Sequence, residues 1–163
     1  MSPSESSSSP TLISKLPVEN AAWQALLNVM TEEERALING EADHLERLNT
    51  SKLAQLNTLS NLARARHDAL LAAGLSADHA GMDAWLAQHG QPEHLASWQH
   101  LVDLEHEAQA LNQRIGTLID LRLNSTRQAL NVLVQAATSN KGGLYDQGGM
   151  STASRNTKPI TSA

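Results

Sequence analysis

The chain has no cysteine and no phenylalanine, a single tyrosine and three tryptophans. Without cysteine there are no disulfides, no thiolate nucleophile and no cysteine-based zinc or iron–sulfur site. Aromatic residues make up only 2% of the chain, which argues against a β-rich fold, because strands favour β-branched and aromatic side chains. Long apolar runs are missing too. No stretch approaches the roughly 18–20 residues that span a bilayer, so no membrane insertion is expected. The opening residues, MSPSESSSSP, hold neither a basic nor an apolar segment, so they do not read as a secretory signal and a cytoplasmic protein is expected. Basic residues are outnumbered, 12 Lys and Arg against 17 Asp and Glu, for a formal charge of −5. An acidic surface repels phosphate, which speaks against nucleic acid or an anionic membrane as partner.

What is present is leucine and alanine in quantity, among Gln, Glu and Arg, in a chain that is 40% apolar. These side chains lose little entropy in a helix. The 163 residues suit one domain. Residues 1–15 are serine-rich and expected to be a disordered tail. Residues 139–163 have the same character, with Gly142, Gly143, Gly148, Gly149 and Pro159, and read as a flexible C-terminal tail. The helical body is expected over residues 16–138.

Within that body the spacing predicts helices. The first starts near Pro17, a favourable first-turn residue. It carries Trp23, Leu26, Leu27, Met30, Leu37 and Ile38 at helical intervals. Thr31 and Glu34 mimic a capping box, but the apolar phase runs through them, so they are read as an exposed turn. Asn39-Gly40 is the stop. A second helix begins near Asp43, carries Leu45, Leu48, Leu56, Leu59, Leu62 and Leu70, and ends at Gly74. A connection over residues 75–92 contains a short helix, MDAWLAQH, closed by Gly90. Pro92 opens the longest helix, with a seam at Leu101, Leu104, Ala108, Leu111, Ile115, Leu118 and Arg122, resuming at Ala129, Leu133 and Ala136. Alternating steps of three and four residues are a coiled-coil pattern. The expected fold is all-α: an antiparallel bundle of three long helices with the short helix capping one end.

Chemistry-bearing motifs are sparse. Glu41-x-x-His44 has the form found in di-iron bundles, and Asp103-x-x-His106 is the nearest second copy, but Leu101 and Leu104 own the buried face there. Solvated surface histidines are the plainer reading. The serines cluster in the tails, where nothing positions a nucleophile, and GxSxG and phosphate-loop signatures are absent. The residues therefore point to no enzyme, no metal and no cofactor. Trp23, Trp85 and Trp98 are expected to pack where the short helix meets the hairpin, with partner recognition as the other reading. Arg64 and Arg66 read as solvated helix charges. Arg122 falls on the seam: either it snorkels to a rim, or it marks where the helix turns from internal packing to a partner. Leu144-Tyr145 is an apolar pair in a polar tail. It docks back on its own bundle, or it is a short motif for a partner pocket.

Over about residues 20–150 the chain resembles the FlgN flagellar export chaperones. The first half carries the likeness diffusely: Leu26-Leu27, Glu34, Ala36-Leu37, Gly40, Leu45, Leu48, Lys52, Leu56, Leu59, Arg66 and Leu70, then Gly81-Met82 and Trp85-Leu86. It sharpens at Leu111-Asn112, Gly116, Leu118-Ile119, Arg122-Leu123 and Thr126. Leu144-Tyr145 with Gly148 and Gly149 resembles the family's terminal Tyr-Gly-x-x-Gly element. Ile115 stands where members often have Asn, and Asp146 where Gly usually follows the tyrosine.

The resemblance implies a chaperone for the C-terminal helical segments of the hook–filament junction proteins FlgK and FlgL. It implies that they are kept from aggregating and delivered to the type III export apparatus, with Tyr145 docking to the gate protein FlhA. A long helix can lend part of its seam to an amphipathic cargo helix. The expected cargo-binding residues are Arg122, Leu123, Thr126, Ala129, Leu130 and Leu133, and the expected gate-docking residues are Leu144 and Tyr145. The alternative is a structural coiled-coil protein that self-assembles as a homo-oligomer.

Overall fold

A computed structural model of the chain describes the backbone of residues 9–146 and the side chains of residues 12–140. Four helices follow one another: α1 (Ser9–Asn39), α2 (Ala42–Ala72), α3 (His79–His89) and α4 (Pro92–Asp146). There is no strand among the described residues, and the fold is the expected all-α bundle. The chain divides into two compact units, Met1–Asp120 and Leu121–Ala163.

The first unit holds the bundle. Helix α1 ends where Gly40 takes φ +76°, a left-handed conformation that costs glycine nothing, and the Glu41 N–H then reaches back to the Ala36 carbonyl at 3.0 Å. The end of α2 is a Schellman motif. Gly74 sits at φ +75°, with Leu75 N–H on Leu70 O and Gly74 N–H on Leu71 O, both at 3.0 Å. Leu75 also packs on the core cluster that contains Leu70, the apolar contact that usually accompanies this cap. Helix α1 continues through Thr31, whose hydroxyl donates to Leu27 O at 2.8 Å instead of capping a new helix. Helix α3 starts at His79, earlier than the expected MDAWLAQH. Asp78 is its N-cap and accepts from the Gly81 N–H at 2.8 Å. A Cβ at Gly81 would run into the Ser76 carbonyl oxygen, so the close approach of the cap loop requires glycine there.

Cross-helix pairs give the helix directions. Glu19 meets Arg66 and Glu33 meets Lys52, so α1 and α2 are antiparallel. Asn20 donates to Ser97 O at 3.0 Å and Arg114 to Glu34 at 2.9 Å, so the first part of α4 runs with α1. This up-down-up order buries two clusters. One joins Leu26, Leu27, Met30, Leu37, Leu59, Leu104, Leu111 and Ile115. The other gathers Leu12, Leu16 and Leu70 with Met82, Trp85 and Leu86 of α3 and Trp98 and Leu101 of α4. Trp23 packs against both.

The helices differ from expectation at both ends. Helix α1 begins at Ser9, inside the stretch read as tail, and Pro17 lies within it rather than at its start. Leu12 and Leu16 explain why: they are 3% and 1% exposed, packed with Leu70, Trp85 and Leu101. A buried leucine contributes about 1.5–3 kcal/mol, so two of them offset the roughly 3 kcal/mol that an interior proline costs. At the other end α4 runs to Asp146, past residue 138 where the body was expected to stop. The last part of the expected tail, with Gly148, Gly149 and Pro159, lies outside the described residues.

Candidate functional site

Where α1, α2, α3 and α4 converge, the bundle holds a charged cluster. The Arg66 guanidinium donates from Nε to Glu19 Oε2 at 3.1 Å and from Nη2 to Oε1 at 3.0 Å. Both residues are buried, 6% and 2% exposed. The guanidinium also lies 5.0 Å from the Trp98 ring centroid. Glu105 stands 4.0 Å from the same Nη2 and pairs with His79 Nε2 at 2.9 Å. The Trp98 indole donates to Asp83 at 2.8 Å, tying α4 to α3. Arg66 is therefore a buried residue and not the solvated charge read from the sequence. The signal was present: Leu59, Leu62, Arg66 and Leu70 share one helical face, as do Leu16, Glu19, Trp23 and Leu26. What a single helix does not reveal is that the two interruptions meet. The pair joins helices and has no access to a substrate.

Two charged groups at the surface are perturbed. Hydrogen bonds from the Ser76 hydroxyl and the Gly81 N–H hold the Asp78 carboxyl below its ordinary value. The hydrogen bond and charge of Glu34 raise Arg114 above its own. Each supports a helix junction, and neither stands in a cleft with a nucleophile. Glu41 accepts from the Asn39 side chain, and His44 lies 3.6 Å from Glu32. Asp103 accepts from Gln99. Among the described residues no three His, Asp or Glu side chains gather to hold a metal. A shallow groove of about 370 Å³ runs over Trp23, Leu26, Met30, Leu56 and Ala108. Of the tryptophans, Trp85 and Trp98 are packed at the α3 end as expected, and Trp23 is half-buried between the clusters.

The second unit has a different surface. The α4 seam is buried at Leu101, Leu104, Ala108, Leu111 and Ile115 and half-buried at Leu118. From Leu121 to Asn140 every residue is exposed. Leu121, Leu123, Leu130, Val132, Leu133 and Val134 stand 49–66% open to solvent. The other exposed large hydrophobics, such as Val18, Leu53 and Leu95, are scattered singly, which is ordinary for a soluble surface. Six within fourteen residues are a patch, and such patches mark interaction sites.

Helical spacing orders this patch. Leu123, Thr126, Leu130, Leu133 and Ala137 follow one another in steps of three and four, a stripe one residue along from the buried seam, whose own steps continue through Arg122, Ala129 and Ala136. Of the expected cargo-binding residues, Leu123, Thr126, Leu130 and Leu133 lie on that stripe. Arg122 and Ala129 lie along one edge of it, and Arg127 along the other. The Thr126 hydroxyl is turned onto its own backbone, donating to Arg122 O at 2.9 Å. Leu144 and Tyr145 fall in the last turn of α4, and their side chains lie outside the described residues.

A bundle closed by internal pairs, whose long helix presents an unpartnered apolar seam, is a protein-binding module. Residues 1–153 match the family described as FlgN protein, and the chain belongs to the FlgN family. This is a family of flagellar export chaperones, which bind flagellar export substrates, and not one of enzymes. No curated protein and no solved structure matches the chain. Among the described residues no helix is long and apolar enough to cross a membrane.

Proposed function

We propose that this chain is the cytoplasmic chaperone of the hook–filament junction proteins FlgK and FlgL. It takes their C-terminal helical segments on the seam formed by Leu123, Thr126, Leu130 and Leu133, flanked by Arg122 and Ala129. The client's aggregation-prone helix is covered there, and the complex is delivered to the export gate protein FlhA through Leu144 and Tyr145.

The observation that carries this reading is the run of exposed apolar side chains from Leu121 to Val134. A client helix laid on the seam removes that surface from water in a helix-in-groove mode. Covering one leucine contributes about 1.5–3 kcal/mol, so losing it weakens binding by roughly ten- to a hundredfold. Calorimetric titration of the full chain with a C-terminal fragment of FlgK or FlgL is the test. Saturable one-to-one binding is expected, weakened at least tenfold by Leu130→Asp or Leu133→Asp with unchanged helical circular dichroism. A separate titration with the soluble domain of FlhA, using Tyr145→Ala, tests the gate contact. No heat and no co-elution at tens of micromolar would sink the chaperone assignment for these clients and favour a self-assembling coiled coil, which sedimentation would then detect.

A further inference from the structure

We infer that the groove of the first unit, over Trp23 and between α2 and α4, is a docking site for one stretch of the client helix. This rests on the reading of the exposed α4 stripe as the client site and adds a place where the bundle itself grips the client.

Three helices build the groove. Trp23, Leu26 and Met30, spaced by three and four residues along α1, form its floor. Leu56 of α2 stands on one side and Ala108 of α4 on the other. Leu26, Met30 and Ala108 are buried, Trp23 is half-buried and Leu56 is 43% exposed. From Trp23 to Met30 the floor spans about 10 Å, roughly two helical turns. This is the length and the apolar lining for a short stretch of a further helix, in the place that the fourth member of a four-helix bundle fills.

The occupant follows from the spacing of α4. The exposed stripe of Leu123, Thr126, Leu130 and Leu133 can be carried back in the same steps of four and three. It then passes through Ile119, Gly116, Asn112, Gln109 and Glu105. The last three are the α4 wall of the groove. The residues that wall the groove therefore share the helical register of the client stripe, and a partner helix that reads one is in register for the other.

Gly116 fits the same reading. It is exposed, and a Cβ there would meet no described atom within 4 Å. Glycine weakens a helix interior relative to alanine, and no internal contact here requires it. A partner backbone that approaches closely does.

The rim sets the chemistry. Lys52 is tied to Glu33 at 2.8 Å and Glu105 to His79 at 2.9 Å, so both rim charges already have partners. The side-chain amides of Gln109 and Asn112 are exposed and bonded to no described residue. An occupant meets an apolar floor, neutral hydrogen-bonding groups and no charge left to pair. The segment that fits is a two-turn stretch of amphipathic helix with a bulky apolar side chain over Trp23 and uncharged polar residues at its edges. A charge facing the floor would lose its water without gaining a counter-charge.

The full chain and a tryptophan-free C-terminal fragment of FlgK or FlgL supply the test. Trp85 and Trp98 are 2% and 4% exposed, so acrylamide quenching reads chiefly Trp23. Binding of the fragment should remove most of that quenching, and Trp23→Phe should abolish the change. In calorimetric titration Leu56→Asp and Gly116→Leu should each weaken binding about tenfold, roughly the loss of one covered apolar contact, with helical circular dichroism unchanged. Leucine is the better helix former, so a loss at Gly116→Leu is steric and not a loss of fold. Weakening by Leu130→Asp, with Leu56→Asp, Gly116→Leu and the Trp23 quenching all without effect, would overturn the inference while leaving the stripe as the client site. Unchanged binding with Leu130→Asp would remove the stripe reading, and with it the register on which the inference stands. A free chain that sediments as a concentration-dependent dimer, and as a monomer with Leu56→Asp, would assign the groove to a second copy and overturn the inference. Trp23 quenching that rises in the free chain on truncation after Asp146 would assign it to the chain's own end, with the same consequence.

Discussion

At the scale of single residues, the bundle relies on a few polar contacts whose strength depends on surroundings. Asp78 is fully at the surface, yet its carboxylate accepts from both Ser76 and the Gly81 N–H, and these bonds lower its pKa from the ordinary 3.8. The unfolded chain therefore holds a proton at Asp78 where the folded chain does not. The stability this cap contributes is complete above 3.8 and is lost as pH falls through the lowered folded value. Asp78→Asn keeps a capping oxygen without a titrating group. Thermal melts across pH 2 to 5 should show part of the acid destabilisation of the native chain removed in the variant. Identical pH profiles would show that the cap is not linked to protonation. The buried pair obeys a different balance. Removing one partner leaves an uncompensated charge, so Glu19→Ala or Arg66→Ala should each cost about 3–5 kcal/mol in urea unfolding. Replacing both, Glu19→Leu with Arg66→Met, should cost far less than the sum, because two desolvated charges leave together. Additive losses would mean that the two side chains do not pair.

At the scale of the element, local signals were legible where they alone decide the backbone. Gly40 and Gly74 end α1 and α2 as expected, because a left-handed residue at a helix end is a local demand. The core seam of α4 was legible as a heptad pattern through Ile115. The start of α1 was not, because Pro17 marks a start only when nothing before it has a place to bury. Leu12 and Leu16 find that place against α2, α3 and α4, a tertiary fact no local rule contains. If α1 runs through Pro17, removing the ring restores a missing backbone bond. Pro17→Ala should then stabilise the chain by roughly 1–3 kcal/mol in chemical denaturation. A helix beginning at Pro17 would give the opposite result, since a good first-turn residue would be lost. The stretch beyond Leu121, read from the sequence as candidate partner surface, is exposed throughout its described side chains.

At the scale of the whole molecule, the division at Asp120 separates two kinds of helix stability. Up to Ile115 the α4 residues Leu101, Leu104, Leu111 and Ile115 are at most 4% exposed, so their backbone bonds open only when the bundle does. From Leu121 to Asn140 no side chain is buried, and a helix in water without tertiary packing is marginal beyond its intrinsic propensity. Segments that must accept a partner are drawn from this low-stability end, since a firmly packed seam has nothing left to offer. Amide hydrogen exchange should therefore be at least about a hundredfold faster over residues 121–140 than over residues 101–115 in the free chain. A client helix that covers only Leu123, Leu130 and Leu133 should slow the fast set while leaving the slow set unchanged, because the bundle core is complete without it. Equal protection in both regions of the free chain would mean that something already covers the seam. A second copy as the cover would make the protection depend on protein concentration, whereas cover by the chain's own remaining residues would be lost on truncation after Asp146.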